Sequence, residues 1–336
     1  MKKILSAILF SVTAFMAQAQ GGDVSELQQT AKTFMRSGDY DNAVIVLKRG
    51  LSLDAKNLEL QKDLALTYFL KRDFTRAKES AKTLADHPDA DEVAYQIVGN
   101  VYKSLEEVKE CEKMFKKALK KFPNSGPLHS EYGELLWAAK RFDAIDQWEK
   151  GIQVAPSFSG NYYNAAMYYY YAKDKVWTLI YGEIFVNMES RTERGAAMKE
   201  LLLKAYKEKL FAEADIMKGE EKNKNEFAKA YLQTMGRQSS LANQGLSIET
   251  LTMIRSRFIL DWFANHAQKF PFKLFDYQRQ LLQSGLFEAY NQWLFGPVEN
   301  LANYEQWTKT HAEDFEKFNK IIQNTIFKMP AGQYYR

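Results

Sequence analysis

The sequence contains few of the residues that characterise disulfide-rich, metal-binding or disordered proteins. Cys111 is the only cysteine among the 336 residues, which excludes an intrachain disulfide and a multi-cysteine metal site. Seven prolines and 17 glycines are too few for long disordered or collagen-like stretches. Lys and Arg number 46 against 42 for Asp and Glu, so we expect no nucleic-acid partner that needs a dense basic face. Composition therefore predicts a compact, helical protein.

The motifs that would identify an enzyme are also missing. The sequence has no glycine-rich phosphate loop, no G-x-S-x-G elbow and no H-E-x-x-H pair. Its four histidines, His87, His129, His266 and His311, are far apart along the chain and are interpreted as separate structural residues. We therefore expect a non-enzymatic protein with no cofactor and no metal site.

The first nineteen residues have the pattern of a cleavable signal peptide. Lys2 and Lys3 precede an apolar run over residues 4–17, and Ala17-Gln18-Ala19 supplies the small residues that signal peptidase accepts. A buried N-terminal helix is the alternative. No later run approaches eighteen apolar residues, so no transmembrane segment is predicted in the mature chain. The predicted location is the bacterial periplasm or envelope.

Two series of small residues recur every 34 residues in the first half of the chain. The first series is Ala31, Ala65, Gly99 and Gly133. The second is Ala43, Ala77 and Cys111, followed 33 residues later by Ala144. A large apolar residue lies three positions after each member of the first series, and a polar turn precedes each member of the second. Such a period predicts stacked helical hairpins, in which small residues let two helices approach closely. Cys111 is accordingly predicted to be a buried packing residue.

These features resemble the tetratricopeptide repeat (TPR) family. The resemblance implies an all-α superhelix of four clear hairpins and a degenerate fifth, in which Thr178 and Gly182 replace the usual small and aromatic residues. The predicted repeats occupy residues 20–192, at about 24–57, 58–91, 92–125, 126–158 and 159–192. A helical, aromatic-rich C-terminal domain is predicted over residues 193–336. An irregular helical bundle with chance spacing is the alternative.

In the TPR family the first helices line a concave groove, so the resemblance implies a protein or peptide partner. Transferred position by position, the groove residues are Gln28, Lys32, Arg36, Lys62, Leu66, Phe69, Gln96, Asn100, Lys103, Glu134, Trp137, Tyr163, Met167, Tyr170 and Tyr171. The early set is basic and amide-bearing and the late set is aromatic, which would suit a ligand with an acidic end and an apolar or sugar-like end. The lysine–asparagine clamp of the chaperone-binding members is not reproduced, because Gln28 and Lys32 stand at its positions. A solvated face without a partner is the alternative for each residue.

Aromatic residues are concentrated near the end of the chain, where eighteen lie within residues 258–336. They indicate either a buried core or a site for a glycan or peptide. Helical periodicity in this half predicts helices near 196–217, 225–236, 247–269, 274–284 and 304–327. Gly285 and Gly296 are predicted to end helices in the left-handed conformation.

The leading hypothesis is a non-enzymatic adaptor that holds a partner in the repeat groove. A glycan- or peptide-binding protein that uses the aromatic C-terminal domain is the second hypothesis.

Overall fold

The computed structural model describes residues 23–213, 215–220, 222–243 and 245–336. The predicted signal peptide lies outside these ranges. Within them the chain forms eighteen α-helices, one π-helical turn and no β-strand. The predicted all-α fold is therefore confirmed. None of the helices in these ranges has both the length and the apolar character needed to cross a membrane.

The first ten helices form five consecutive hairpins. They are α1 (Val24–Ser37) with α2 (Tyr40–Leu53), α3 (Leu58–Leu70) with α4 (Phe74–Ala85), α5 (Glu92–Ser104) with α6 (Val108–Lys121), α7 (Gly126–Ala138) with α8 (Ala144–Val154), and α9 (Ser159–Tyr171) with α10 (Trp177–Met188). Each hairpin pairs a first helix with the second helix that directly follows it. The helices therefore follow the 34-residue period of the sequence, including the degenerate fifth unit.

The small residues of the two series lie at the contacts between helices, as their spacing predicts. All eight are buried, and Cys111 is completely inaccessible to solvent. A Cβ atom added at Gly99 would lie 2.6 Å from the ring of Phe115, and one at Gly133 would lie 2.3 Å from the indole of Trp148. Larger residues at these positions would push the paired helices apart. The role of Cys111 as a packing residue is confirmed.

A left-handed residue turns every one of the five hairpins. It is Gly38 in the first hairpin, and in the others it is Arg72, Glu106, Lys140 and Lys173, with φ between 56° and 62°. In each case the next residue donates its backbone N–H to a carbonyl five positions back, as in Asp39 to Phe34 and Asp174 to Tyr169. These bonds satisfy carbonyls at the end of the first helix. The turn geometry therefore repeats with the same period as the core.

Eight further helices follow the hairpins. They are α11 (Glu193–Ala205), continued by the π-helical turn Tyr206–Leu210, then α12 (Glu226–Gly236), α13 (Ser239–Ala242), α14 (Ile248–Asn265), α15 (Lys273–Gln283), α16 (Phe287–Glu299), α17 (Leu301–Thr310) and α18 (Ala312–Asn324). Helix α16 has no counterpart among the sequence predictions. The single helix predicted over residues 304–327 is two helices that meet at His311.

Gly296 does not end a helix, which corrects the sequence prediction. Helix α16 continues through Gly296 and Pro297 to Glu299. A Cβ at Gly296 would lie 2.5 Å from the ring of Tyr304. Glycine stands here because α16 contacts an aromatic ring closely. Gly285, in contrast, has the predicted left-handed conformation, with φ of 74°.

Contacts between residues divide the described part of the chain into two compact units, one that ends at Pro123 and one that runs from Asn124 to Arg336. The first unit holds the hairpins α1–α6, and the second holds α7–α10 together with α11–α18. The predicted boundary between repeats and C-terminal domain, at residues 192 and 193, separates two sequence patterns, and it stays a prediction.

A buried ion pair ties the hairpins of the second unit to its later helices. Arg255 on α14 and Glu183 on α10 form this pair, and both side chains are almost fully buried. Gln278 and Tyr290 also donate to Glu183, at 2.5 and 2.7 Å, and Arg255 donates to Asn291 at 2.8 Å. The charges are thus hydrogen-bonded on both sides, as buried charges must be.

An extended segment, residues 326–336, forms a second tie in the same unit, and we call it the strap. Tyr335 stacks on Phe227 of α12, with ring centroids 4.8 Å apart. Arg336 donates to the hydroxyl of Tyr169 at 2.8 Å, and that hydroxyl donates to Glu149 at 2.6 Å. Burial raises the pKa of the Glu149 carboxyl above its ordinary value. The strap therefore connects α12 with the hairpins α7–α8 and α9–α10.

Candidate functional site

The predicted groove residues all lie on first helices, but those of the first unit differ in accessibility. Gln28 donates to Asp63 at 2.7 Å, and the Lys32 ammonium lies 3.8 Å from the same carboxylate. Lys62 is buried, with 7% of its surface exposed, and it donates to Asp91 at 2.9 Å. Asp91 also caps α5, so Lys62 joins the second hairpin to the third. Lys62 therefore holds adjacent hairpins together.

The other predicted residues of the first unit are spread over α1, α3 and α5. Arg36 donates to Thr33 on its own helix at 3.4 Å. Phe69 packs edge-on against Phe74, with ring centroids 6.5 Å apart. Leu66, Gln96 and Lys103 are partly exposed, and Asn100 is exposed.

One predicted residue of the second unit, Trp137, belongs to an aromatic group that joins α7 to α9, and the other two rings of the group are not among the predicted groove residues. Trp137 contacts Tyr168 with ring centroids 5.5 Å apart, and Phe142 with centroids 6.3 Å apart. Trp137 is 37% exposed and Phe142 is 71% exposed. We call Trp137, Phe142 and Tyr168 the α7–α9 ridge. Tyr168 is partly exposed, so the three rings form a contiguous apolar surface of the kind that can mark a protein interaction site.

A polar group flanks the ridge one helical turn away. Asn164 donates to Glu134 and to the hydroxyl of Ser130, in both cases at 3.1 Å. Glu134 lies three residues before Trp137, and Asn164 lies four residues before Tyr168, so both pairs share a helix face. The hydrogen bonds hold the Glu134 carboxylate at the surface beside the rings. This arrangement can bind an apolar side chain together with an N–H or cationic donor.

Two further predicted tyrosines of α9, Tyr163 and Tyr170, contact charged residues of α11 and of the π-helical turn that continues it. Tyr163 lies under the guanidinium of Arg194, 5.2 Å from its ring centroid. Tyr170 lies under Lys209 at 4.9 Å and donates to Glu208 at 3.4 Å. Partial burial, together with the Glu208 carboxylate, raises the pKa of Tyr170 above its ordinary value. Tyr171 is 63% exposed, and its ring centroid lies 5.8 Å from that of Tyr170. Met167, also on α9, is partly exposed.

The aromatic residues of the last third of the chain are mostly core. Phe272, Phe275 and Trp293 are between 2% and 7% exposed. Phe272 and Phe275 both pack against Phe227, with ring centroids 5.2 and 6.1 Å away. Most of the aromatic enrichment therefore comes from the interior of the second unit.

Trp307 is an exception, because it lines an open cavity of about 560 Å³. The cavity is bounded by the amides Gln292, Asn300, Asn303 and Gln306, the carboxylates Glu249 and Glu299, and the hydroxyls Ser247 and Thr310. The indole N–H of Trp307 donates to Glu288 at 2.8 Å. Lys207 lies 3.4 Å from Glu299. The indole ring stacks on the imidazole of His311, with ring centroids 4.7 Å apart. An indole flanked by amide and carboxylate groups can bind a polyhydroxylated ligand.

Within the described ranges, His, Cys, Asp and Glu side chains form no group of three or more that could hold a metal ion. His129 is buried on α7, and its Nδ1 atom lies 3.1 Å from Gln147. His87 lies in the turn after α4, where its Nε2 atom is 2.9 Å from the carbonyl of Lys56.

No protein-family model matches the sequence, and no curated protein matches it either. Solved structures with a similar fold include a TPR protein from Thermus thermophilus, with 16% identity and a TM-score of 0.45 over 54% of this chain and 100% of that one. PilF of Pseudomonas aeruginosa has 14% identity and a TM-score of 0.47, over 55% and 84% of the two chains. YrrB, described as a TPR protein with an unusual peptide-binding site, has 16% identity and a TM-score of 0.40, over 56% and 97%. These similarities concern the fold of about half of this chain.

Proposed function

We propose that this chain is a non-enzymatic scaffold that binds a segment of a partner protein along the α7–α9 ridge. The observation that carries the proposal is the contact of the exposed ring of Trp137 on α7 with the partly exposed ring of Tyr168 on α9, beside a carboxylate held by hydrogen bonds. Trp137 and Phe142 supply apolar surface, and Glu134 supplies a hydrogen-bond acceptor. Aromatic side chains in such a setting are the usual anchors of protein interfaces.

A photo-cross-linking experiment tests the ridge directly. A photoreactive phenylalanine analogue replaces Phe142 in one protein and Leu260 in another. Leu260 is a matched position because it is 63% exposed on α14, a helix that carries none of the ridge residues. We expect a defined adduct with an envelope protein from position 142 and none from position 260. Adding Trp137→Ala to the first protein should remove the adduct.

Equal adducts from both positions, or an adduct that survives Trp137→Ala, would show that the ridge does not bind the partner. Because Trp137 also contacts the buried Trp148, a thermal melt must accompany that variant. For Phe142→Ala we expect no loss of stability, since a residue this exposed contributes little to stability. It should lower the yield of the co-purified partner at an unchanged melting temperature.

We also propose that the scaffold is exported. The basic start, the apolar run and the small residues at positions 17 and 19 support cleavage after Ala19. The intact mass of the protein recovered from the periplasm of an expressing bacterium should correspond to loss of residues 1–19. Recovery of the full-length mass from the cytoplasm alone would contradict this proposal.

A second candidate function is glycan binding in the cavity beside Trp307. The mixture of one indole with amides and carboxylates, and with no lysine or arginine in the lining, favours it. Trp307→Ala should abolish binding of envelope-derived oligosaccharides measured by calorimetry, and Trp137→Ala should leave it unchanged. The two candidate functions therefore predict opposite outcomes for the same pair of variants.

A further inference from the structure

Helix α6 in the first unit carries a row of four lysines at intervals of four residues. Lys109, Lys113, Lys117 and Lys121 share one face of the helix because four residues complete about one turn. With two further lysines and two glutamates, α6 alone has a net charge of +4, equal to the formal charge of the entire chain. Like charges at this spacing destabilise an isolated helix. The row therefore conflicts with local stability, which is typical of functional surfaces.

The second half of this row already binds residues 85–90 of the same chain, which are the end of α4 and the turn that follows it. The ammonium of Lys117 donates to the carbonyl of Ala85 at 2.9 Å and to the carboxylate of Asp86 at 3.1 Å. The ammonium of Lys121 donates to the carbonyls of Pro88 and Ala90, at 3.2 and 2.7 Å. Segment 85–90 thus contributes a side-chain carboxylate and three main-chain carbonyls to two lysines.

The first half of the row faces an open cleft of about 830 Å³. Lys109 and Lys113 line the cleft with Lys82 of α4 and Lys120 of α6, and none of these four lysines forms an ion pair within the described residues. Two carboxylates of the lining are already engaged, because Asp86 is 3.1 Å from Lys117 and Glu112 is 2.8 Å from Lys116. The side chains of Tyr102 and Met114 add apolar surface.

We propose that this cleft binds an acidic segment of a partner protein, which continues along α6 the pattern of contacts that segment 85–90 makes. Aspartate or glutamate side chains and main-chain carbonyls of the partner accept from Lys82, Lys109 and Lys113. An apolar side chain of the partner packs against Tyr102 and Met114. This surface belongs to the first unit, so it is separate from the α7–α9 ridge and does not depend on the proposed function.

The lining favours a protein segment over nucleic acid or a membrane surface. It contains lysine but no arginine, whose planar guanidinium is the better ligand for phosphate groups and nucleic acids. It holds a single aromatic ring, whereas single-stranded nucleic acids are bound on successive stacked rings.

Fluorescence anisotropy with labelled octapeptides tests the proposal on the full mature chain. One peptide carries six Asp or Glu residues around a Leu and a Phe, and its control carries Asn and Gln in place of the acids. We expect binding of the acidic peptide only, with an affinity that falls as salt is raised. Lys109→Gln with Lys113→Gln should weaken it by about five- to tenfold, as expected for two partly exposed ion pairs.

A matched double variant, Lys48→Gln with Lys56→Gln, removes two exposed charges of the same unit outside the cleft and should change the affinity less than twofold. An equal loss of affinity in both double variants would show that binding depends only on net charge, and it would overturn the proposal. Failure of the acidic peptide to bind would overturn it too. So would tighter binding of a single-stranded oligonucleotide or of vesicles with anionic lipids. Phe142→Ala should leave peptide binding unchanged, because the ridge lies in the other unit.

Discussion

At the scale of single residues, the turns of the hairpins show where the sequence departs from its lowest-energy choice. Only Gly38 among the five left-handed turn residues lacks a Cβ atom, while arginine, glutamate and two lysines hold the same conformation. A left-handed conformation costs a non-glycine residue about 1–2 kcal/mol. Polar turns with this spacing are visible in the sequence, but the positive φ is not, because no glycine marks it after the first hairpin.

Lys140→Gly should therefore stabilise the protein. Glycine relieves the left-handed strain, but it also gives the unfolded chain more conformational freedom. The free energy of unfolding should therefore rise by only about 0.5–1 kcal/mol. Urea denaturation gives the difference in the free energy of unfolding. Lys150→Gly is the matched control, because Lys150 is exposed inside α8, where glycine should cost about 1 kcal/mol. Two variants that change stability in the same direction would show that Lys140 is not strained.

The buried ion pair supports a second prediction at this scale. Arg255→Met should destabilise the protein by about 3–5 kcal/mol, because it leaves Glu183 buried without its cationic partner. The double variant Glu183→Gln with Arg255→Met should lose less stability than Arg255→Met alone, since a neutral side chain can still accept hydrogen bonds from Gln278 and Tyr290. Thermal and urea unfolding measure both. A double variant that is less stable than Arg255→Met alone would contradict the explanation.

At the scale of helices, sequence periodicity predicts the helices whose contacts repeat from hairpin to hairpin. It does not predict helix ends that depend on one particular contact. The hairpins follow from the small residues, and Gly99 and Gly133 each admit a ring from the second helix of their own repeat, Phe115 and Trp148. The C-terminal extent of α16 could not be predicted, because Gly296 and Pro297 normally end a helix. Here Gly296 admits the ring of Tyr304, a contact that no periodicity indicates. The break at His311 likewise depends on the packing of α17 and α18.

The contact between α11 and α16 predicts how stability depends on pH. Lys199 of α11 is buried and donates to the carbonyl of Trp293 at 2.8 Å. Burial lowers the pKa of Lys199 to about 7. Between this value and the ordinary lysine pKa, the unfolded chain holds a proton that the folded chain has lost. The free energy of unfolding should therefore rise with pH over this range, by up to about 1.4 kcal/mol per pH unit.

Urea unfolding at several values between pH 7 and pH 9 measures this rise. Lys199→Met should flatten it and should stabilise the protein most at the low end of the range. Lys204→Met, at an exposed position of the same helix, should keep the slope of the unmodified chain. A slope that persists in Lys199→Met would assign the pH dependence to another group.

At the scale of the whole chain, the sequence predicts part of the candidate site. The 34-residue period places Glu134, Trp137 and the tyrosines of α9 on first helices, where the structure has them. It does not predict that Tyr168 and Phe142 meet Trp137, because those contacts depend on how α7 lies against α9 and on the turn between α7 and α8. The period does not predict the burial of Lys62 either, since its partner Asp91 caps the first helix of the next hairpin.

The division of the chain into compact units could not be predicted from the sequence for a similar reason. Sequence patterns change near residue 193, where the repeat ends, but compactness depends on contacts between residues far apart. Within the second unit, Glu183 of α10 is paired with Arg255 of α14, and the strap reaches Tyr169 of α9. Neither contact follows a period, so neither is visible in the sequence. The fourth and fifth hairpins therefore share one core with the helices that follow them.

This shared core leads to a prediction about fragments. Residues 124–336 should fold cooperatively without the first three hairpins, because they retain the ion pair, the strap and the aromatic core around Phe227. Residues 193–336 should not, because Arg255 would lose Glu183, and Phe227 would lose the stacked ring of Trp177, 5.7 Å away. Near-UV circular dichroism during heating should show a sharp transition for the longer fragment and none for the shorter. A sharp transition for residues 193–336 would mean that the helices after the repeats have an independent core, and that Glu183 and Trp177 only add to it.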